Sequence, residues 1–165
     1  MSQPAPTLRE PAHLVCPRAV TLWRVTTAGT AVVPVVAAGV AVLVWPERPA
    51  WLVALAALVV LLAVAAVAIV PTVRYRIHRW EVAGDAVHTR RGLLSVDDRI
   101  APLSRVQTVD SSQGPLERWL RLRSITVTTA SAAGPITIEG LDADLAQHLV
   151  AELTAITAAE RDDAT

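Results

Sequence analysis

Between Trp51 and Val70 the chain runs for twenty residues, WLVALAALVVLLAVAAVAIV, without a charge, an amide, a hydroxyl, a glycine or a proline. Nothing else in the sequence constrains the fold as much. At about 1.5 Å of helical rise per residue the run is about 30 Å long, the thickness of a bilayer's hydrocarbon core. A helix on the surface of a soluble domain keeps a polar face for water, and this one has none. The alternative is a helix buried on all sides, but 165 residues are too few to wrap it. The run reads as a transmembrane helix.

A second apolar run, Val25 to Trp45, precedes it, softened by Thr26, Thr27, Gly29, Thr30, Pro34 and Gly39. Each threonine hydroxyl has a carbonyl one turn earlier to bond, and Pro34 predicts a kink that a neighbouring helix tolerates. A signal peptide would have an apolar region of about 7–15 residues and then a small-residue cleavage site. This run is longer and is followed by PERPAW, which favours a retained helix. Pro46 to Pro49 forms the turn, with Trp45 and Trp51 at the headgroup level where amphipathic rings prefer to sit. The link is so short that the two helices must lie side by side and antiparallel, as a hairpin.

Charge sets the expected orientation. All fifteen basic residues are arginine and the net charge is zero, but the charge is unevenly spread. Residues 1–73 carry four arginines against two acids, 74–123 ten against six, and 124–165 one against seven. The hairpin turn holds only Arg48, beside Glu47. Its flanks hold Arg9, Arg18 and Arg24 on one side and Arg74, Arg76, Arg79, Arg90 and Arg91 on the other. The positive-inside rule then places both termini, and everything after the hairpin, in the cytoplasm. Cys16 is the single cysteine, so no intramolecular disulfide forms; an unmodified reduced thiol is the plain reading and lipidation the lesser one.

Four organisational units follow. Residues 1–24, with four prolines and little periodicity, read as a mostly disordered cytoplasmic lead. The hairpin occupies 25–71, with its spans at 25–45 and 51–70, and a folded domain occupies 72–160, leaving 161–165 as a tail. The domain reads as short strands broken by turns: RYRIHRWEVA, Gly84-Asp85, AVHTRRGLL, DDRIAPL, RVQTVDSS, RSITVTTAS, Ala133-Gly134-Pro135 and PITIEGL. Ile125 to Thr129 alternates valine or isoleucine with threonine, the period of a half-buried strand. Gly114 to Leu120 reads as a helical turn with Pro115 at its first position. Asp144 and Gln147 suggest a capping box for a last helix, whose stripe is Leu145, Leu149, Leu153 and Ile156. A lone amphipathic helix must bury that stripe on the strands, so the fold class is α+β.

No constellation carries chemistry. His13, His78, His88 and His148 have no metal-ligand spacing, and Asp97 and Asp98 are adjacent on an expected strand, so they point to opposite faces. No phosphate loop, dinucleotide fingerprint or nucleophile elbow is present. Catalytic, cofactor-binding and metal residues are therefore expected to be none, and an enzyme site built across an oligomer is the remote alternative. The basic block Arg74, Arg76, Arg79, Arg90 and Arg91 is the candidate contact for anionic lipid or a partner, although positive-inside bias alone predicts such a cluster. Nucleic-acid binding is not expected, because the domain is net acidic and poor in aromatics.

Several longer pieces then stand out together: Arg91-Gly92-Leu93, Pro102 to Asp110 (PLSRVQTVD), Gly114 to Arg118 (GPLER) and Thr128-Thr129-Ala130. With SITVTTAS and IEGLD behind them, residues 74–155 resemble the bacterial pleckstrin-homology-like (PH-like) membrane proteins, the YdbS-like family, which carry an N-terminal membrane hairpin. The resemblance implies two nearly orthogonal antiparallel sheets, a small sandwich or barrel closed at one end by the C-terminal helix. One departure is Arg121, which stands where the family usually has glycine; a positive φ there would strain the arginine. Within the motif Arg105, Gln107, Asp110, Gly114, Pro115 and Arg118 are expected to be structural, for instance through an Arg118–Asp110 pair. The expected function is a non-enzymatic, membrane-anchored interaction module that binds a protein partner or assembles with itself, with anionic-lipid sensing as the alternative.

Overall fold

The computed structural model describes residues 10–84, 86–130 and 134–163, the last seven through their backbone only. Residues 1–9 of the expected lead, Asp85 and Ala133 of the two expected turns, and residues 164–165 of the tail lie outside the described residues.

The chain enters through a two-residue strand, β1 (His13–Leu14), and then forms two long helices, α1 (Arg18–Val44) and α2 (Ala50–Ile77). The strands β2 (Arg79–Ala83), β3 (Ala86–Gly92) and β4 (Val96–Pro102) follow. After a 3-10 turn at Leu103–Arg105 come β5 (Val106–Ser112), the short helix α3 (Pro115–Trp119), β6 (Leu122–Thr129), β7 (Ile136–Asp142) and α4 (Ala143–Asp163). Both sheets are antiparallel, one in the order β1-β2-β3-β4 and the other β5-β6-β7. With α4 packed on β5, β6 and β7, this is the α+β, PH-like architecture that the resemblance implied.

α1 and α2 are 27 and 28 residues long, or about 40 Å each at 1.5 Å per residue. Each therefore exceeds the hydrocarbon core, and both overhang on the same side. Trp45 and Trp51 meet edge to face at 6.3 Å beside the turn. Thr26 and Thr30 donate their hydroxyls to the carbonyls of Trp23 and Thr27, the expected back-bonding. Pro34 lies inside α1, which continues through it.

The overhangs overturn three expectations about the domain's start. First, α2 does not stop at Pro71; Arg74-Tyr75-Arg76-Ile77, expected as strand, form its last turn. Pro71 withholds a donor from the Val67 carbonyl, yet the helix continues through it; the Thr72 hydroxyl bonds the Ala68 carbonyl, and Arg74 and Arg76 at the helix C-terminus oppose its negative dipole end. Second, residues 10–24 are not a disordered lead. β1 pairs with β2, His13 opposite Trp80 and Leu14 opposite Arg79, and α1 starts at Arg18 rather than Val25. Third, the domain does not begin at 72. Val15, Ala19 and Trp23 are buried in the same core as Trp80, Leu122, Ile125 and Leu141. The hairpin is thus inserted between the first two strands of the domain, and the first two turns of α1 belong to both.

The last helix differs in detail. Its cap is Asp142, whose carboxylate accepts from the Asp144 N–H, and not Asp144 itself. Ala146, Leu149 and Leu153 are buried with Ile156 packed beside them, while Leu145 is exposed. Each i+4 step drifts about 40° round a helix, so Leu145 lies about 80° from Leu153 and leaves the stripe.

Candidate functional site

The polar groups of the molecule gather where the hairpin enters the domain. Trp23 on α1 is stacked under the Arg74 guanidinium of α2 at 4.5 Å, and its ring lies 5.0 Å from that of His78. Arg74 reaches on to Glu139 of β7 at 2.7 Å. His78 ends α2: its Nδ1–H donates to the Arg74 carbonyl at 2.8 Å, leaving Nε2 unprotonated and facing the Arg74 Nε. Burial drives the His78 pKa down, and the positive charges of Arg74 and Arg91 add to that, against the Arg74 carbonyl bond and Glu139, which raise it. His78 is therefore held neutral.

One turn of α1 further from the span, Arg18 pairs with Asp142 and donates to the Leu120 carbonyl. The Cys16 N–H donates to the Gly140 carbonyl at 2.9 Å. Gly140 sits at a bulge where the β6–β7 register shifts, with φ of +72°, and a Cβ there would stand 2.7 Å from the Cβ of Ala19. Only glycine lets β7 come this close to α1. Two helices, β1 and β7 are clamped into one joint. Arg18, Trp23, His78, Glu139 and Gly140 are the residues that local reading missed, because their partners lie far away in sequence; the signal available was IEGLD, in which Gly140 interrupts a strand pattern.

The five arginines of the basic block are not one free patch. Arg74 serves the joint. Arg90 and Arg91 face Asp98 and Asp97 across β3–β4, each at 3.8 Å, and Arg90 also meets Glu10 at 2.7 Å. The two aspartates do point to opposite faces, each finding the arginine in register with it. Arg76 is exposed on the last turn of α2, and Arg79 is half-buried.

The motif residues sort differently. Gly114 and Pro115 start α3, and the Glu117 carboxylate accepts from the Gly114 N–H at 2.6 Å and from the Ser124 hydroxyl at 2.8 Å. The expected Arg118–Asp110 pair is not made. Asp110 instead accepts from the Thr108 hydroxyl two residues back on β5, and Arg118 projects from α3 with its side chain exposed. Glu117 does the bracing in its place. Arg105 gives its carbonyl to Ala130 and lines a cleft of about 270 Å³ with Arg99 and Thr129. Arg121 takes φ of +54°, the left-handed conformation that its alignment with a glycine foretold.

Among the described residues β4 and β5 each pair with a single neighbouring strand. β4, the outer strand of one sheet, carries Asp97, Asp98 and Arg99. β5, the outer strand of the other, exposes Gln107, Thr108, Asp110, Ser111 and Ser112, with only one charge among them. Among the described residues no group of three or more histidines, cysteines and acids is placed to hold a metal ion.

A PH-like sandwich with a membrane hairpin threaded between its first strands defines a membrane-anchored domain protein. The chain belongs to the bacterial PH domain family, whose model matches residues 25–156. It is also similar to the UPF0699 transmembrane protein YdbS of Bacillus subtilis (strain 168), 30% identical over 152 residues that cover 90% of this chain and 96% of that one. No solved structure matches the chain.

Proposed function

We propose that the protein is a non-enzymatic interaction module on the cytoplasmic side of the plasma membrane, and that β5 is the edge on which it takes a protein partner. The single observation that carries this reading is the contrast between the outer strands β4 and β5. An unpaired edge offers a row of N–H and C=O groups to another chain, and proteins that avoid such pairing place charges there. β4 is blunted by three consecutive charged residues, whereas β5 keeps small polar ones. A partner strand added to β5 would extend the three-stranded sheet by main-chain bonds. The cytoplasmic placement is supported by arginine on both outer flanks of the hairpin against the Glu47-Arg48 turn.

Headgroup recognition by the arginine block is less well supported, because Arg74, Arg90 and Arg91 are already engaged with Glu139, Glu10, Asp98 and Asp97. The test is photo-crosslinking in native membranes from single residues replaced by a photoreactive phenylalanine. Positions 108 and 110 on β5 are expected to give a discrete adduct, and position 98 on β4 none. An adduct near twice 17.6 kDa identifies a second copy of the chain. Adducts from β4 and none from β5 would overturn the reading.

A further inference from the structure

The turn between β3 and β4 has an unusual composition for a hairpin tip. Such turns favour glycine, asparagine, aspartate and serine. Here Gly92 and Ser95 enclose two leucines, of which Leu93 is 38% exposed and Leu94 is 100% exposed. The tip is also tightly closed. Gly92 has φ of +146°, and a Cβ on it would run into the Ser95 carbonyl, so the bend is closed as tightly as glycine alone allows.

The register decides where this tip lies. β2 starts at Arg79, directly after α2, and Arg79 pairs with Arg90. β3 then continues through Arg91 and Gly92 past the start of β2, back along the last turns of α2. α2 overruns the apolar stretch that ends at Val70 by seven residues, about 10 Å at 1.5 Å each. From Arg90 to Leu93 or Leu94 is three or four residues, about 10–13 Å at 3.3 Å each. The two lengths match, so the tip returns to the level of Val70. A cleft of about 450 Å³ there is lined by Val70, Arg74, Arg91, Leu93 and Ser95 together.

We infer that Leu93 and Leu94 enter the leaflet from which α2 emerges, so that the β3–β4 turn is a third membrane contact beside the two spanning helices. The occupant of this exposed apolar surface is the bilayer itself: the tip is continuous with the apolar side of α2 at the point where that helix leaves the hydrocarbon. Around it the side chains are those the headgroup layer accommodates. Arg91 with Asp97 and Arg74 with Glu139 are paired polar groups beside apolar Val70 and Leu93. The contact is apolar wedging and does not select a headgroup. With the joint at Trp23 and His78 it fixes the tilt of the domain on the membrane, whichever partner β5 takes.

The test uses the full chain, Cys16→Ser, in liposomes of zwitterionic and anionic phospholipid, with a single cysteine carrying an environment-sensitive NBD probe. One chain carries Leu94→Cys and the other Ile100→Cys. Ile100 is a matched control, 51% exposed on the same β4 and four residues beyond Val96, about 13 Å further from the tip. Leu94 makes no packing contact to lose, so its replacement leaves the fold intact. The probe at 94 is expected to emit at shorter wavelength than the probe at 100 and to lose its fluorescence to lipids spin-labelled near the headgroup, at either lipid composition. Water-like emission at 94, unquenched as at 100, would overturn the inference. Equal quenching at both positions would also overturn it, because the contact would then belong to the whole sheet face and not to the tip.

Discussion

The two ends of the hairpin are made of the same helices and live in different solvents. At the far end, Leu43 and Val44 are 72% and 74% exposed and the turn is closed by little more than the Trp45–Trp51 contact. At the near end, Ala19 and Trp23 are 0% and 4% exposed, and Arg18 and Arg74 each reach an acid on β7. Lipid supplies the surroundings of the far end, where exposed valine and leucine cost nothing. Protein supplies those of the near end, where the helices act as part of a soluble core. The apolar run is thus more than a tether. Its turns nearest the domain complete the domain's core, and β1 can reach its place beside β2 only because the hairpin returns the chain to where it left.

The comparison is sharpened most by Gly140→Ala. The substitution forces a non-glycine residue to φ of +72° and sets its Cβ against Ala19. A loss of about 2–3 kcal/mol is expected in urea unfolding of the detergent-solubilised chain, followed by tryptophan fluorescence. Adding Ala19→Gly should recover the packing part and leave the backbone part. A null result at Gly140 would mean that α1 is not seated on β7.

Acid is expected to weaken the near end alone. The folded joint keeps His78 neutral, so its pKa lies below that of the unfolded chain, near 6.5. Above about pH 6.5 both states are neutral and the joint is intact; as pH falls below that value the unfolded chain binds a proton the folded one resists, and stability declines. His78→Phe keeps a ring beside Trp23 and should flatten this part of the pH profile.

The smallest effect is a gain. Arg121 pays for its φ of +54° with strain, at the turn that offers Leu120 to Arg18 and its own carbonyl to Ala143. Arg121→Gly is expected to raise the urea midpoint by the equivalent of about 0.5 kcal/mol, the relief of strain less the added freedom of glycine in the unfolded chain. The same glycine substitution at Arg123, inside β6, should be destabilising.

How much was legible follows from the range of each signal. The spans, the period of β6, the α3 start at Gly114-Pro115 and the presence of a last helix are written in neighbouring residues. So was the strain at Arg121, through its place in the family pattern. β1 was invisible, since two residues cannot show a period, and its pairing partners at Arg79 and Trp80 lie beyond the whole hairpin. Val15, Ala19 and Trp23 looked like part of a disordered lead because their burial comes from strands more than fifty residues later. The arginine block was legible as a cluster, but its acids were not: Glu10, Asp97, Asp98 and Glu139 reach it only through strand register and helix seating. An Arg118–Asp110 pair was plausible by motif alone, and the nearer Thr108 takes Asp110 instead.

The central claim is that the domain includes the chain on both sides of the hairpin, and hydrogen exchange on the full-length protein in lipid nanodiscs tests it most directly. The Cys16 amide donates to Gly140 and belongs to the domain's cooperative unit. A peptide spanning residues 13–17 is expected to exchange as slowly as the buried part of β6 around Ile125, and to speed up with it in Gly140→Ala. Exchange of that peptide at the rate of an open chain, with β6 still protected, would contradict the account.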